Sequence, residues 1–173
     1  MRPYIWIAVG LPASGKSTWI KKNVEVRTTQ DIVVLGTDRL IDQYAAECNM
    51  TYDEIWPHRI DDATDVFFAQ VKTALAARRN IFIDRTNISV KSRRKILAHV
   101  PKDYHKIACV YTCSPEVHED RLHSRPGKFI PQLVIENMKK DFAYPTLDEG
   151  FDQINHIITD HTAPVYTVGG VKE

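Results

Sequence analysis

The chain has 173 residues, 43% of them apolar and 26% charged, and its 23 basic and 22 acidic side chains leave a formal net charge of +1. Length and apolar content suffice for one domain with its own core, spanning 1–173, and exclude an intrinsically disordered chain. The near-neutral balance excludes a bulk polycation, so contact with nucleic acid would need a local basic patch, and no apolar run nears the roughly 18 residues of a membrane span.

Met1-Arg2-Pro3-Tyr4 lacks the apolar stretch of a secretory signal. Three cysteines are too few and too odd for a disulfide framework. A reducing, cytoplasmic location without a membrane is therefore the expectation.

Tyr4–Val9 is a short β-rich apolar run that stops at a glycine-containing turn, which suits a buried strand. Gly15 to about Val24 reads as helix, Asp31–Leu35 as a second strand, and Arg39–Cys48 as a second helix. Thr51-Tyr52-Asp53-Glu54 has capping-box spacing. Beyond it Ile60, Ala63, Phe67, Val71, Ala74 and Leu75 recur at helical spacing. Asn80–Asp84 and Lys106–Thr112 are further strands. Ser114-Pro115-Glu116 starts a helix with a capping hydroxyl, a first-turn proline and an acid at the positive dipole end. Pro131 opens another helix, and Ile154–Thr159 reads as a fifth strand. Strands alternating with helices imply an α/β domain with a central parallel sheet flanked by helices.

Gly10-Leu11-Pro12-Ala13-Ser14-Gly15-Lys16-Ser17 satisfies G-x-x-x-x-G-K-S/T. Backbone N–H groups of such a loop wrap a phosphate, which needs glycine where the turns are tight, and the following helix directs its positive end at the anion. Lys16 would carry charge to the β- and γ-phosphates, and Ser17 would offer an oxygen to magnesium. A chance match arises in roughly six of a thousand random chains of this length. The strand before and the helix after are the context the motif demands.

In open α/β sheets ligands bind beyond the carboxyl ends of the strands. Two aspartates stand there. Asp84 closes Ile81-Phe82-Ile83 as a magnesium-holding Walker B acid would, while Asp38 could take a proton from an attacking hydroxyl; the bland alternative is that each caps a helix. Arg121 and Arg125 are four apart and share a helix face, before the loop-forming Pro126-Gly127-Lys128. A lid of this kind delivers guanidinium groups to a transferring phosphoryl group; the alternative is an exposed helix with Glu119 and Asp120 as counter-charges. A second basic cluster, Arg85, Lys91, Arg93, Arg94 and Lys95, adjoins the presumed site and would suit a nucleic-acid backbone or a solvated helix face. Cys109 and Cys113 fall about 13 Å apart along a strand, too far to share a metal. Trp6, Trp19 and Trp56 read as core or half-buried, with base stacking by Trp56 a minor alternative.

Taken together, these residues resemble the kinase domain of the 5′-polynucleotide kinases of phage and animals. Gly10 to Thr18 is similar to that family's G-x-P-G-x-G-K-S-T loop, Thr37-Asp38-Arg39-Leu40 to its strand-end aspartate segment, and Asp84-Arg85-Thr86-Asn87, followed by Arg93-Arg94, to its D-x-T-N. Ile130-Pro131 and Phe142 to Phe151 are similar to the closing stretch of the animal enzymes. The resemblance runs from about Tyr4 to Ile154. It implies a P-loop NTPase fold with a helical lid, and transfer of the γ-phosphoryl group of ATP, or another NTP, to 5′-hydroxyl ends of DNA or RNA, with magnesium. Gly10, Pro12, Ala13, Ser14, Gly15, Lys16, Ser17 and Thr18 would then bind nucleotide, and Ser17 and Asp84 the metal. Lys16, Asp38, Arg121 and Arg125 would be catalytic, with Asp38 as base. Asp38, Arg39, Asp84, Thr86, Asn87 and Arg93 would meet the acceptor.

Two departures stand out. The arginine that many members carry three residues after the base, where the resemblance implies a grip on the substrate phosphate next to the 5′ end, is Ile41 here, with Arg39 as the nearby substitute, and the D-x-D-x-T signature of a fused 3′-phosphatase is absent. Ala13 replaces the loop's second glycine. The alternatives are a small-molecule P-loop kinase, of the gluconate or antibiotic-modifying sort, and a non-catalytic nucleotide-binding module. Oligomeric state is not legible at this level.

Overall fold

The computed structural model describes residues 2–25, 32–160 and 166–169. In chain order the elements are β1 (Tyr4–Val9), α1 (Lys16–Ile20) with a π-helical turn (Lys21–Glu25), β2 (Ile32–Leu35), α2 (Thr37–Cys48) and α3 (Tyr52–Ala76). There follow β3 (Asn80–Ile83), α4 (Val90–Leu97), β4 (His105–Thr112), α5 (Pro115–His123) and α6 (Gln132–Lys140). A 3-10 turn (Leu147–Glu149), β5 (Gln153–Ile158) and β6 (Tyr166–Gly169) complete the described chain. Strand order is β2-β3-β1-β4-β5-β6. The first five strands are mutually parallel, and β6 runs antiparallel to β5.

The apolar runs are nearly continuous because helices cover both faces of the sheet. Alternation along each strand divides the core in two. Ile5 and Ile7 of β1, with Ile81 and Ile83 of β3, pack against Phe67 and Val71 of α3 and Ile96 of α4. Ala8, Phe82, Ile107, Cys109 and Tyr111 face the other way, onto Ile20 and Val24. Burial pushes the Cys109 thiol up to about 12, which makes it an inert core group. No helix among the described residues is long and apolar enough to cross a membrane.

Several boundaries differ from the sequence reading. The first helix is not continuous to Val24, since α1 gives way to the π-helical turn at Lys21. Asp31 and the stretch 161–165 lie outside the described residues. The capping box is present as expected: Thr51 Oγ1 accepts from Glu54 N, and the Glu54 carboxylate accepts from Thr51 N at 2.7 Å. Helix α4 is absent from the chain-order reading and matches the helix-face alternative for the basic cluster, although Arg93 is buried; Ser89 caps it by accepting from Ser92 N.

Candidate active site

Everything of chemical interest gathers at the carboxyl ends of β1, β2 and β3, where the chain leaves the sheet and its backbone groups need new partners. The loop from Gly10 to Ser17 is fixed across the sheet, with Gly10 N donating to Thr86 O at 2.9 Å. Within it Ala13 has φ +62° and Gly15 φ +86°, both left-handed. A Cβ on Gly15 would lie 2.7 Å from Thr159 Oγ1, so that glycine is needed for space as well as conformation. Lys16 Nζ donates to Gly10 O at 3.0 Å and to Leu11 O at 2.7 Å. Burial lowers its pKa to about 8, against the opposing pull of Asp84 and Asp38.

Asp84 is brought beside this loop by β3. Its N–H donates to Leu35 O at 2.7 Å, and Ser17 Oγ donates to its Oδ1 at 3.3 Å. The carboxyl is 7% exposed, and desolvation raises its pKa against the pull of Lys16 and the Ser17 hydrogen bond. A hydroxyl and a carboxylate in this relation are the donor set expected of a magnesium site beside a triphosphate. Just after β2 the backbone passes so close to Asp84 O that Gly36 has no room for a Cβ.

Asp38 stands in the first turn of α2 and lines the same cleft as Lys16 and Ser17. Tyr52 OH donates to its Oδ1 at 2.8 Å. The cleft between these groups measures about 1400 Å³, and both Asp38 and the Lys16–Ser17 pair line it. Its far wall is one face of α3, where Tyr52, Trp56, Ile60 and Thr64 follow one another at helical spacing. Trp56 is thus a surface residue at 43% exposure, not a core one.

Arg121 and Arg125 both line the cleft, but they do not share a helix: α5 ends at His123, and Arg125 lies in the loop beyond. Arg121 donates from Nη1 to Thr159 Oγ1 at 2.9 Å and from Nη2 to Thr159 O. Thr159 Oγ1 in turn donates to Ser14 O at 2.6 Å. His118, one turn earlier on α5, places Nε2 at 2.8 Å from Pro12 O, so α5 is pinned to the phosphate loop directly by His118 and through Thr159 by Arg121. The Arg125 side chain has no ion pair or hydrogen bond among the described residues, and its charge reaches both Lys16 and Tyr52. The loop after it is stitched to α3: Asp53 N donates to Gly127 O at 3.2 Å, and Phe129 N donates to Asp53 Oδ2 at 2.8 Å. Lys128 pairs with Asp42 at 2.6 Å and lies over the Tyr52 ring.

Three residues expected to touch an acceptor do otherwise. Arg93 is fully buried and grips Glu149 through two hydrogen bonds of 2.7 and 2.8 Å, while its Nη1 donates to the Asn87 and Ala143 carbonyls. Asn87, 3% exposed, has φ +43° and spends its amide on Ala8 O at 2.8 Å. Both hold the loop after β3 in place instead of reaching the cleft. Arg39 pairs with Glu25 at 2.7 Å and lies 3.8 Å from Asp84, outside the cleft lining. Thr86 and Thr18 do line the cleft, as do Pro12 and Ala13, whereas Gly10 and Ser14 contribute from behind. Sequence reasoning missed Tyr52, His118 and Thr159; the strand-end position of Thr159 was the one available signal.

A family profile described as "AAA domain" matches residues 5–145. Human heterogeneous nuclear ribonucleoprotein U-like protein 2 is 25% identical over 158 residues, 87% of this chain and 21% of that protein. L-seryl-tRNA(Sec) kinase of Methanococcus maripaludis is 26% identical over 149 residues, 84% of this chain and 55% of that kinase. The chain thus spans about a fifth of the first of these relatives and about half of the second. Among solved structures, a chain of the Pnkp1/Rnl/Hen1 RNA repair complex aligns with TM-score 0.60 and 27% identity, over 82% of this chain and 47% of that one. A gluconokinase from Sinorhizobium meliloti 1021 aligns with TM-score 0.57 over 93% of this chain and 85% of that one, but at 18% identity this is a likeness of fold alone.

Proposed function

We propose, from the premise that this chain belongs to the AAA-domain family whose profile spans residues 5–145, that it is a P-loop kinase passing the γ-phosphoryl group of ATP to a 5′-hydroxyl end of DNA or RNA. The observation that carries the reading is Asp38, a carboxylate held by Tyr52 in the cleft that Lys16 and Ser17 also line, close enough for its charge to act on Lys16. The likenesses to an RNA repair complex and to a tRNA kinase support a nucleic-acid acceptor.

In this reading ATP lies along the phosphate loop, where Lys16 leaves its carbonyl partners for the β- and γ-phosphates. Ser17 and Asp84 would hold magnesium, which supplies charge neutralisation along the triphosphate. The acceptor hydroxyl oxygen forms a bond to the γ-phosphorus as the bond to the β–γ bridging oxygen breaks and ADP leaves. Its proton goes to the Asp38 carboxylate. Arg121, set by Thr159, and Arg125 neutralise charge that gathers on the transferring oxygens.

The test offers γ-labelled ATP and magnesium with 5′-hydroxyl DNA and RNA oligonucleotides, in parallel with a panel of sugars. Label on an oligonucleotide supports the reading and ranks the substrates. Label on a sugar alone contradicts it in favour of a small-molecule kinase, and ATP binding without any labelled acceptor leaves a nucleotide-binding module.

A further inference from the structure

Arg125 is presented by a turn that α3 holds in place. Arg125-Pro126-Gly127-Lys128 has the composition of a type II turn, with proline second and glycine third. Lys128 N closes it by donating to Arg125 O at 3.3 Å, and Gly127 has the left-handed φ of +69° that the third position requires. A turn fixes the shape of its own four residues but not where they sit. Three consecutive residues supply the placement. Gly127 O accepts from Asp53 N at 3.2 Å, and Phe129 N donates to Asp53 Oδ2 at 2.8 Å. Lys128, between them, pairs with Asp42 of α2 at 2.6 Å and lies 4.4 Å from the centre of the Tyr52 ring. Asp53 belongs to the first turn of α3, whose N–H groups have no partner within the helix. Its neighbour Glu54 turns its carboxylate back to Thr51 N, whereas Asp53 spends both its N–H and its carboxylate on the turn. Core packing does not account for this contact, because Phe129 is 76% exposed. What it fixes is the backbone of Arg125, whose side chain lines the cleft with no partner of its own among the described residues.

We propose that Asp53 is a positioning residue for Arg125: its N–H and its carboxylate clasp residues 127–129 and so hold the guanidinium where the phosphoryl group is transferred. The proposal rests on the reading of Arg125 as a neutraliser of charge on the transferring oxygens. A side chain with as many rotatable bonds as arginine serves a transition state best when its backbone is already in place, since ordering it at the moment of reaction costs entropy. Asp53 supplies that placement. Tyr52 and Asp53, adjacent in the first turn of α3, thereby set the base and the arginine together.

The test has two arms. In the first, trypsin cuts the native protein and the fragment ending at Lys128 is followed by mass, because the N–H of the bond cleaved there is the one that Phe129 gives to Asp53. Asp53→Ala should speed that cut by roughly 10- to 100-fold, as for loss of a hydrogen bond to a charged group. Asp53→Asn, which keeps an accepting oxygen, should speed it less; thermal melts of both variants confirm that they fold. An unchanged cut in Asp53→Ala overturns the clasp. The second arm compares single-turnover transfer from γ-labelled ATP in wild type, Asp53→Ala, Arg125→Ala and the double variant. Asp53→Ala should slow transfer by about 10-fold or more in the wild-type background, and by less than about 2-fold once Arg125 is gone. The same factor in both backgrounds would give Asp53 a merely structural part and overturn the positioning role. A faster cut in a protein that transfers to no acceptor would remove the kinase reading and leave the clasp. Efficient end-labelling that Asp53→Ala leaves unchanged would do the reverse.

Discussion

Tyr52 OH donates to Asp38 Oδ1 at 2.8 Å, a bond that ties the first turn of α3 to the first turn of α2. Burial, and then the neighbouring Asp38 charge, push the Tyr52 phenol well above its ordinary pKa, so it stays a proton donor throughout the working range. That bond orients the Asp38 carboxylate. Tyr52→Phe removes the donor with little change of shape. It should lower kcat by about 10-fold or more, as expected for a hydrogen bond to a charged group, and leave ATP affinity within about 2-fold. An unchanged kcat would assign Tyr52 a purely structural part.

Lys16 makes stability pH-dependent with a definite sign. Its pKa is lowered from 10.5 in an ordinary setting to about 8 in the fold. Between those values the unfolded chain binds the proton and the folded one does not, so stability should rise with pH across that window. Below pH 8 both states are protonated and the full cost of the buried ammonium is present. Urea unfolding at several pH values checks this, and Lys16→Met should flatten the rise. ATP affinity should move the other way in the same protein, falling as pH climbs through about 8, since the triphosphate needs the ammonium form.

Arg93 is a stability residue in this account. Arg93→Met strands the Glu149 carboxylate, which is buried with it, and should cost about 3–5 kcal/mol in denaturant unfolding. Replacing both, Arg93→Met with Glu149→Leu, should recover a large part of the loss. A variant with normal stability but a raised acceptor KM would return Arg93 to the substrate-binding set.

At Ala13 two terms oppose each other. The left-handed φ of +62° strains a non-glycine residue by about 1–2 kcal/mol, and glycine adds about 0.4–1 kcal/mol of unfolded-state entropy. Ala13→Gly should therefore raise stability by up to about 1 kcal/mol, read from urea midpoints. A clear loss would mean that this loop does not hold the left-handed turn in solution.

These residues also show how far local sequence reaches. The strand Tyr4–Val9, the Thr51 and Ser114 caps and the phosphate loop are read within a few residues of themselves, and each was placed correctly. Asp38 and Asp84 were located through strand ends, a rule of topology applied to local pattern. Helix α4 was hidden because the fully buried Arg93 occupies a core-facing position, which breaks the apolar period. Its partner Glu149 is 56 residues away, so nothing local marks the pair. Thr159 and Ser14 are 145 residues apart and meet only because β5 and β1 flank β4. Tyr52 is 14 residues from Asp38 across a helix–helix turn, and no spacing rule links them.

Asp38 is the group on which the functional account turns. The most direct measurement is single-turnover transfer of γ-labelled phosphate to a 5′-hydroxyl oligonucleotide by wild type and Asp38→Asn, with ATP affinity determined on the same samples. The account expects ATP affinity within about 2-fold and transfer reduced by at least about 10²-fold, the low end of what a positioned general base contributes. Transfer retained in Asp38→Asn would contradict the account and remove this carboxylate from the chemistry.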